Sequence, residues 1–266
     1  MVDVSEKIDF FEYLYAKYNT PDYIKTDPIF FPHNLSGNRE FTAFTAALFA
    51  YGNVKAMQNF LKDYFSSTGT DPFNPVLNGR GIKYRFQSAA DVKKYAVVMQ
   101  KAYEDFGSLE NLFLESSAAG GIYSAAEKAF HVIRTRYLSE KPTHGLSFLF
   151  ALPNRSASKR LNMFLRWMVR QDVVDFGLWK GFRKEELSIP LDTHIHRLCV
   201  NLRVIEQGSK GVCAVKKVNA FFRELSPDDP AKYDFALTRL GIAKGCAYEP
   251  SPACALCEEK DICAFR

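Results

Sequence analysis

Four of the chain's six cysteines stand within its last 21 residues: Cys246, Cys254, Cys257 and Cys263, spaced C-x7-C-x2-C-x5-C. Thiolates this close in sequence can encircle one iron–sulfur cluster or one zinc ion. In an intracellular chain such a block points to metal rather than to disulfides. Zinc sites usually pair two C-x2-4-C knuckles across a longer loop. Here only Cys254 and Cys257 form a knuckle, so spacing alone leaves cluster and zinc both open. A zinc knot that merely ties down the C-terminus is the bland alternative. Cys199 and Cys213 sit apart.

A second chemical grouping lies upstream. Between Pro153 and Gln171 there are five basic residues, Arg155, Lys159, Arg160, Arg166 and Arg170, and no acidic one. Leu161, Phe164, Leu165 and Met168 recur at helical spacing and face a core. Lys159, Asn162, Arg166 and Arg170 fall on another face. That face is either a solvated helix surface or a surface for DNA phosphates, with Ser156, Ser158 and the helix N-terminus adding donors. Farther on, Asp192 precedes an apolar-periodic stretch, where an N-cap belongs. His194 and His196, two positions apart, do not share a helix face. His194 reads as a helix-start residue near the cleft, and His196 as surface or packing.

The elements that position these groups read as helices. Segments 5–18, 39–51, 54–66, 89–105, 122–138, 158–170, 193–204, 213–225 and 230–244 carry apolar residues at three- and four-residue steps. The expectation is an all-α fold of roughly nine or ten helices. Loops fall at Thr20 to Asn38, Ser67 to Arg85, Pro153 to Ala157 and Phe176 to Pro190. The last helix stops at Gly245, a suitable C′ residue, directly before Cys246. A hydrophobic content of 47% in 266 residues sustains a full core. Its 23 Phe and 13 Tyr can fill that core or stack on bases. The net charge of +5 is compatible with nucleic acid. No apolar run reaches membrane-spanning length and the N-terminus lacks a signal-peptide pattern, so a cytoplasmic location is expected.

The blocks together resemble the helix-hairpin-helix-GPD superfamily of DNA glycosylases. Lys159 to Leu165, K-R-L-N-M-F-L, lies over the block that carries that family's nucleophilic lysine. P-L-D-T-H-I-H-R, with Asp192, lies over its aspartate motif. The four cysteines resemble the [4Fe-4S] loop of endonuclease III, with one extra residue in the first gap. The strings D-P-I-F-F-P-H, Y-R-F and Y-D-F-A-L resemble a largely uncharacterised bacterial branch of that superfamily. The resemblance implies a two-lobed helix-hairpin-helix glycosylase-like fold with a C-terminal cluster loop. In that scheme residues 1–21 pack with the C-terminal lobe, 22–170 form a helical-barrel lobe ending in the hairpin-like segment, and 171–266 form the C-terminal lobe.

The resemblance also implies a base-excision glycosylase with AP-lyase activity, working as a monomer on double-stranded DNA with a damaged or abasic site, near the nucleoid. Lys159 and Asp192 would be catalytic. Tyr51, Arg155, Ser156, Arg160, Arg166 and Arg170 would meet DNA. Cys246, Cys254, Cys257 and Cys263 would hold a [4Fe-4S] cluster, with zinc as the alternative. Two departures stand out. The hairpin segment Leu152 to Lys159 has no glycine, and Lys159 and Asp192 lie 33 positions apart, farther than in the family pattern. Rival functions are a non-catalytic DNA-binding protein, an enzyme on RNA or a modified nucleoside, and a purely structural metalloprotein.

Overall fold

Helices begin where a short polar side chain can hold a free backbone amide. In the computed structural model, which describes residues 7–77, 81–116, 120–153, 158–260 and 263, Asn38, Asn53, Ser108, Thr143 and Asp192 each accept a bond from an amide two or three residues into the helix they open. Ser88 and Asp91 form a reciprocal capping box. Such caps satisfy donors that the first turn leaves unpaired.

Twelve α-helices run through the described residues. They are α1 (Ile8–Tyr18), α2 (Phe30–Asn34), α3 (Arg39–Leu48), α4 (Val54–Thr68), α5 (Ala89–Phe106), α6 (Leu109–Glu115), α7 (Gly121–Val132), α8 (His144–Leu149), α9 (Lys159–Val169), α10 (Thr193–Asn201), α11 (Gly211–Leu225) and α12 (Asp234–Lys244). The fold is all-helical. Pairing between extended segments is limited, among the described residues, to two isolated bridges, Tyr84 with Gln87 and Gln171 with Phe176. The helix count exceeds the expected nine or ten because α2, α6 and α8 are too short to show a period. The segment 122–138 is also not one α-helix, since α7 passes into a single π turn at Ile133–Tyr137.

The buried side chains gather into two clusters. One draws on α2 through α9 and centres on Phe44, Tyr95, Phe164 and Trp167. The other joins α1 to α10, α11 and α12 through Phe11, Leu198, Phe222 and Tyr233. The stretch after α9 folds back onto the first cluster: Val174, Trp179 and Leu187 are buried there. Trp179 Nε1 donates to Glu40 at 2.6 Å, and Glu40 also accepts the backbone amides of Leu109 and Glu110 at the start of α6. A carboxylate at a helix N-terminus complements the amides exposed there.

A buried ion network ties the two clusters together. Arg166 on α9 pairs with Asp175 and with Asp234 at the head of α12. Arg170, which closes α9, pairs with Asp172, Asp175 and Asp229. Tyr15 and Asn19 at the end of α1 donate to Asp172, each at 3.0 Å. Arg166 and Arg170 are 2% and 3% exposed. The basic face expected to meet DNA phosphates through these two residues is therefore turned inward, because four aspartates on neighbouring segments neutralise it there. Asn162, on the same face, is buried as well.

Burial acts against the carboxylates of this network to different extents. Burial pushes the Asp234 carboxyl up to about 7, against the pull of Arg166. Burial likewise raises Asp175 despite Arg166 and Arg170. Burial would also raise Asp172, but Arg170 and the amides of Asp175 and Val174 outweigh it and bring that group down to about 2.

Arg166→Ala should cost about 3–5 kcal/mol, because it strands two buried carboxylates; urea unfolding against wild type measures the loss. The raised Asp234 carboxyl has a further consequence. Its folded form binds the proton more tightly than the unfolded form, so its contribution to stability is whole below pH 3.8 and is lost as pH rises through about 7. Asp234→Asn should therefore flatten the fall of Tm across that interval. Parallel Tm–pH curves for variant and wild type would contradict this.

Candidate active site

Lys159 opens α9 after an unusual residue. Ser158 adopts a left-handed backbone with φ of 47°, a conformation that side chains other than Gly and Asn seldom take. Its hydroxyl donates to Pro153 O at 2.7 Å, and its own carbonyl accepts the Asn162 amide at 2.9 Å. These bonds hold Ser158 in place directly before Lys159. Arg155 and Ser156, expected from sequence to contact DNA, lie outside the described residues.

Asp192 reaches the same place from the other cluster. Its Oδ1 accepts the Ile195 amide at 2.8 Å and caps α10. Its Oδ2 lies 3.8 Å from Lys159 Nζ. One carboxylate thus caps α10 and faces the lysine amine. The pair is loose, at the outer limit of an ion pair, and unequal in exposure: the lysine side chain is 43% exposed and the aspartate 10%. An amine beside a carboxylate in a cleft supplies a nucleophile and a proton acceptor. An ion pair of this exposure contributes little to stability.

The cleft they border has a volume of about 650 Å³ and lies between the two clusters. Its walls include Tyr51, Arg160, Asp234 and Arg239 as well as the pair. His194 also lines it. Burial and the neighbouring cations lower the pKa of His194 against the opposing pull of Asp192, which favours the neutral ring. Its Nδ1 is buried without a hydrogen-bond partner. Gly241 of α12 makes room for it, since a Cβ there would come within 2.2 Å of that Nδ1 and 2.4 Å of the Tyr248 hydroxyl. His196 packs by donating from Nε2 to Ser209 O, 2.8 Å away.

Asp234, and the pair of Arg239 with Asp27 at 3.0 Å, were not singled out from sequence. Asp27 and Asp234 look like ordinary loop and helix-start acids. Only their convergence on the cleft from positions more than 200 residues apart marks them. Tyr51 and Arg160 do border the cleft, but both are engaged. The Tyr51 hydroxyl donates to Gln87. The Arg160 guanidinium donates to the carbonyls of Leu48 and Phe148 and lies 4.2 Å over the Phe148 ring. Burial brings its pKa down to about 10, in keeping with a cation that lacks a carboxylate partner. Arg170 is not part of this lining, and Arg166 reaches it only as a buried member of the ion network.

The four C-terminal cysteines are partly exposed and unbridged. Burial raises the Cys246 thiol, and the charges of Cys263, Cys257 and Cys254 add to the shift. Amides of Tyr248 and Ser251 donate to the sulfurs of Cys246 and Cys254 at 3.3 and 3.4 Å. Bonds of this kind stabilise thiolate ligands. Cys257 instead donates to Glu259 at 3.1 Å and would have to turn away to bind metal. Among the described residues no three His, Cys, Asp or Glu side chains already converge as a metal-binding group. In donor chemistry the set suits an iron–sulfur cluster or zinc.

No helix among the described residues is long and apolar enough to cross a membrane. Comparison with known proteins corrects the family expectation. No curated protein matches the chain, and no solved structure does. No helix-hairpin-helix-GPD or endonuclease III family model matches it either, so the motif resemblance, carried by three short blocks, does not extend to membership. The model that matches is the one described as Protein of unknown function (DUF2400), over residues 27–243. That span covers the first cluster, the Lys159–Asp192 pair and nearly all of α12, and the chain belongs to this family.

Proposed function

We propose that the protein is a DNA N-glycosylase with AP-lyase activity, acting through Lys159 and Asp192 on a nucleotide turned out of the duplex. The observation that carries this reading is the placement of Lys159 Nζ 3.8 Å from Asp192 Oδ2 at a cleft of about 650 Å³. A base inside a duplex stack is out of reach of any side chain, so the nucleotide must leave the stack first. The Lys159 amine, as free base, then bonds to the deoxyribose C1′ and the base departs with the bonding pair. Asp192 takes the proton that the new C–N bond releases. The lone pair of the bound nitrogen then opens the sugar ring: the C1′–O4′ bond breaks, O4′ takes the proton held by Asp192, and the resulting iminium makes the C2′ proton acidic. Its removal expels the 3′ phosphate, and water then returns the lysine.

The two buried clusters on either side of the cleft serve in this reading as the two lobes of a glycosylase-like architecture, working on nucleoid DNA. Cys246, Cys254, Cys257 and Cys263 would hold a [4Fe-4S] cluster there. Such a cluster would fix the shape of the C-terminal loop, and the chemistry above does not pass through it. A binding-only reading is favoured by one observation: Asp192 is already satisfied as the cap of α10.

Borohydride should trap the wild-type protein covalently on an abasic duplex. Lys159→Gln should abolish the trapping while leaving the fold intact. Asp192→Asn keeps a good capping residue and should slow the reaction by about 10²–10⁴-fold. Near-normal turnover in Asp192→Asn would leave the aspartate as a cap only. Free-base release without trapping would point to a water-using glycosylase instead.

Protein purified without oxygen should carry about four irons per chain with matching sulfide. Cys254→Ala should lose them, whereas Cys213→Ala, at an exposed position on α11, should not. One equivalent of zinc with no sulfide would assign the loop to zinc.

A further inference from the structure

The sequence places residues up to Arg85 in a loop and marks Tyr84-Arg85-Phe86 as a string resembling an uncharacterised bacterial branch, without a role. In the structure, residues 84–87 form a tight turn closed by two backbone bonds, Tyr84 N to Gln87 O at 3.0 Å and Gln87 N to Tyr84 O at 2.8 Å. The two base residues of the turn are buried and bolted to the cleft wall. The Tyr84 hydroxyl donates to the Tyr51 carbonyl. Gln87 accepts from the Tyr51 hydroxyl and donates to Gly145 O at 2.8 Å.

The two tip residues, Arg85 and Phe86, are exposed. Arg85 holds a left-handed φ of 49°, where turns ordinarily place Gly or Asn. Phe86 is 46% exposed. Its ring lies parallel to Tyr51, with planes 5° apart and centroids at 5.9 Å. Phe148 and His144 meet it edge-on, at 5.1 and 5.4 Å. The Arg85 guanidinium covers both Phe86 and Tyr51, at 5.6 and 5.9 Å. Gly52 makes that approach possible: a Cβ there would come within 2.8 Å of the Arg85 guanidinium.

A turn built for packing alone would bury its aromatic and place a permissive residue at the strained position. This one presents an aromatic and a cation to solvent and anchors them rigidly beside the cleft. The stretch from Gly81 to Ser88 also carries Lys83 and no acidic residue, and Arg160 adds a second cation against Tyr51, 5.4 Å from the ring. An exposed ring flanked by cations suits a nucleobase, which offers a flat apolar face next to a phosphate. A protein partner's aromatic would leave that positive charge unanswered.

We propose that the Arg85–Phe86 tip is a stacking platform for a nucleobase next to the cleft, with Arg85 set against the adjoining phosphate. The proposal rests on the nucleic-acid reading above and names a contact that this reading does not include. Tyr51, expected from sequence to meet DNA, becomes the support beneath the platform, since its hydroxyl and carbonyl are both committed to the turn.

The test uses a fluorescein-labelled duplex carrying a tetrahydrofuran abasic analogue, with affinity read by anisotropy. Phe86→Ala should weaken binding by about tenfold without changing the salt slope, because it removes no charge. Phe86→Trp should restore affinity, and its emission should be quenched on saturation. The chain's own two tryptophans, Trp167 and Trp179, are buried and give a steady background. Wild-type affinity in Phe86→Ala, or unquenched emission in a bound Phe86→Trp, overturns the platform. Borohydride trapping run in parallel separates the two ideas. Trapping together with a Phe86→Ala variant that binds like wild type removes the platform alone. Phe86-dependent binding without trapping removes the lyase and leaves the platform. A wild-type protein that binds no duplex removes both.

Discussion

Arg166 and Arg170 sit one helical turn apart on α9, with their charge held inside the molecule by aspartates from three other segments. Desolvating two guanidiniums is costly, and it is offset only while every partner stays in place. That requirement fixes where α12 starts, how the chain leaves α9, and where the end of α1 lies. The cleft inherits its geometry from the same constraint. Lys159 begins the helix whose later turns are locked by the network, and Asp234 belongs to both the network and the cleft wall. Asp192 arrives independently, from the second cluster. The distance between lysine and aspartate is therefore a property of how the two clusters are clamped.

The parts of this arrangement that were legible in the sequence are those written locally. Asp192 announced a cap through its place before an apolar period, and the capping geometry is there. The long helices showed their period. The cysteine block is local by nature. What could not be read was which way a basic face turns. A helical wheel separates Arg166 and Arg170 from the apolar stripe, yet it cannot show that Asp175, Asp229 and Asp234 wait on the far side. Asp172 and Asp175, placed directly after Arg170, were the one available hint. The helices of five to seven residues escaped notice because a period needs more than two turns to appear. Short blocks also proved a poor guide to family: a lysine helix, an aspartate cap and a cysteine loop can each be shared without common membership.

Three described residues other than glycine that hold a left-handed backbone lie where chemistry is proposed. Ser158 precedes the lysine, Arg85 tips the turn beside the cleft, and Tyr248 follows Cys246. Such conformations persist only where surrounding bonds over-determine them. Ser158 is held by Pro153 and by the first turn of α9. The Arg85 turn is held by Tyr84 and Gln87. Tyr248 is held by its hydroxyl, which donates to Leu237 O at 2.7 Å. Tyr248 also joins two places that the sequence keeps apart, with its amide on the Cys246 sulfur and its ring beside His194.

The second cluster has an unusual dependence on order of synthesis. Helix α1 leaves the ribosome well before its partners, since its apolar side chains Phe10, Phe11 and Leu14 find their neighbours on α10 to α12. Lys17 and Tyr18 find theirs on Glu259, more than 240 positions later. Contacts of such separation form slowly, and the first cluster, assembled from nearer neighbours, can close well before them. A nascent chain thus carries an unsatisfied greasy helix until α10 to α12 have emerged. That exposed interval, rather than the finished protein, is where chaperone capture and aggregation would compete with folding.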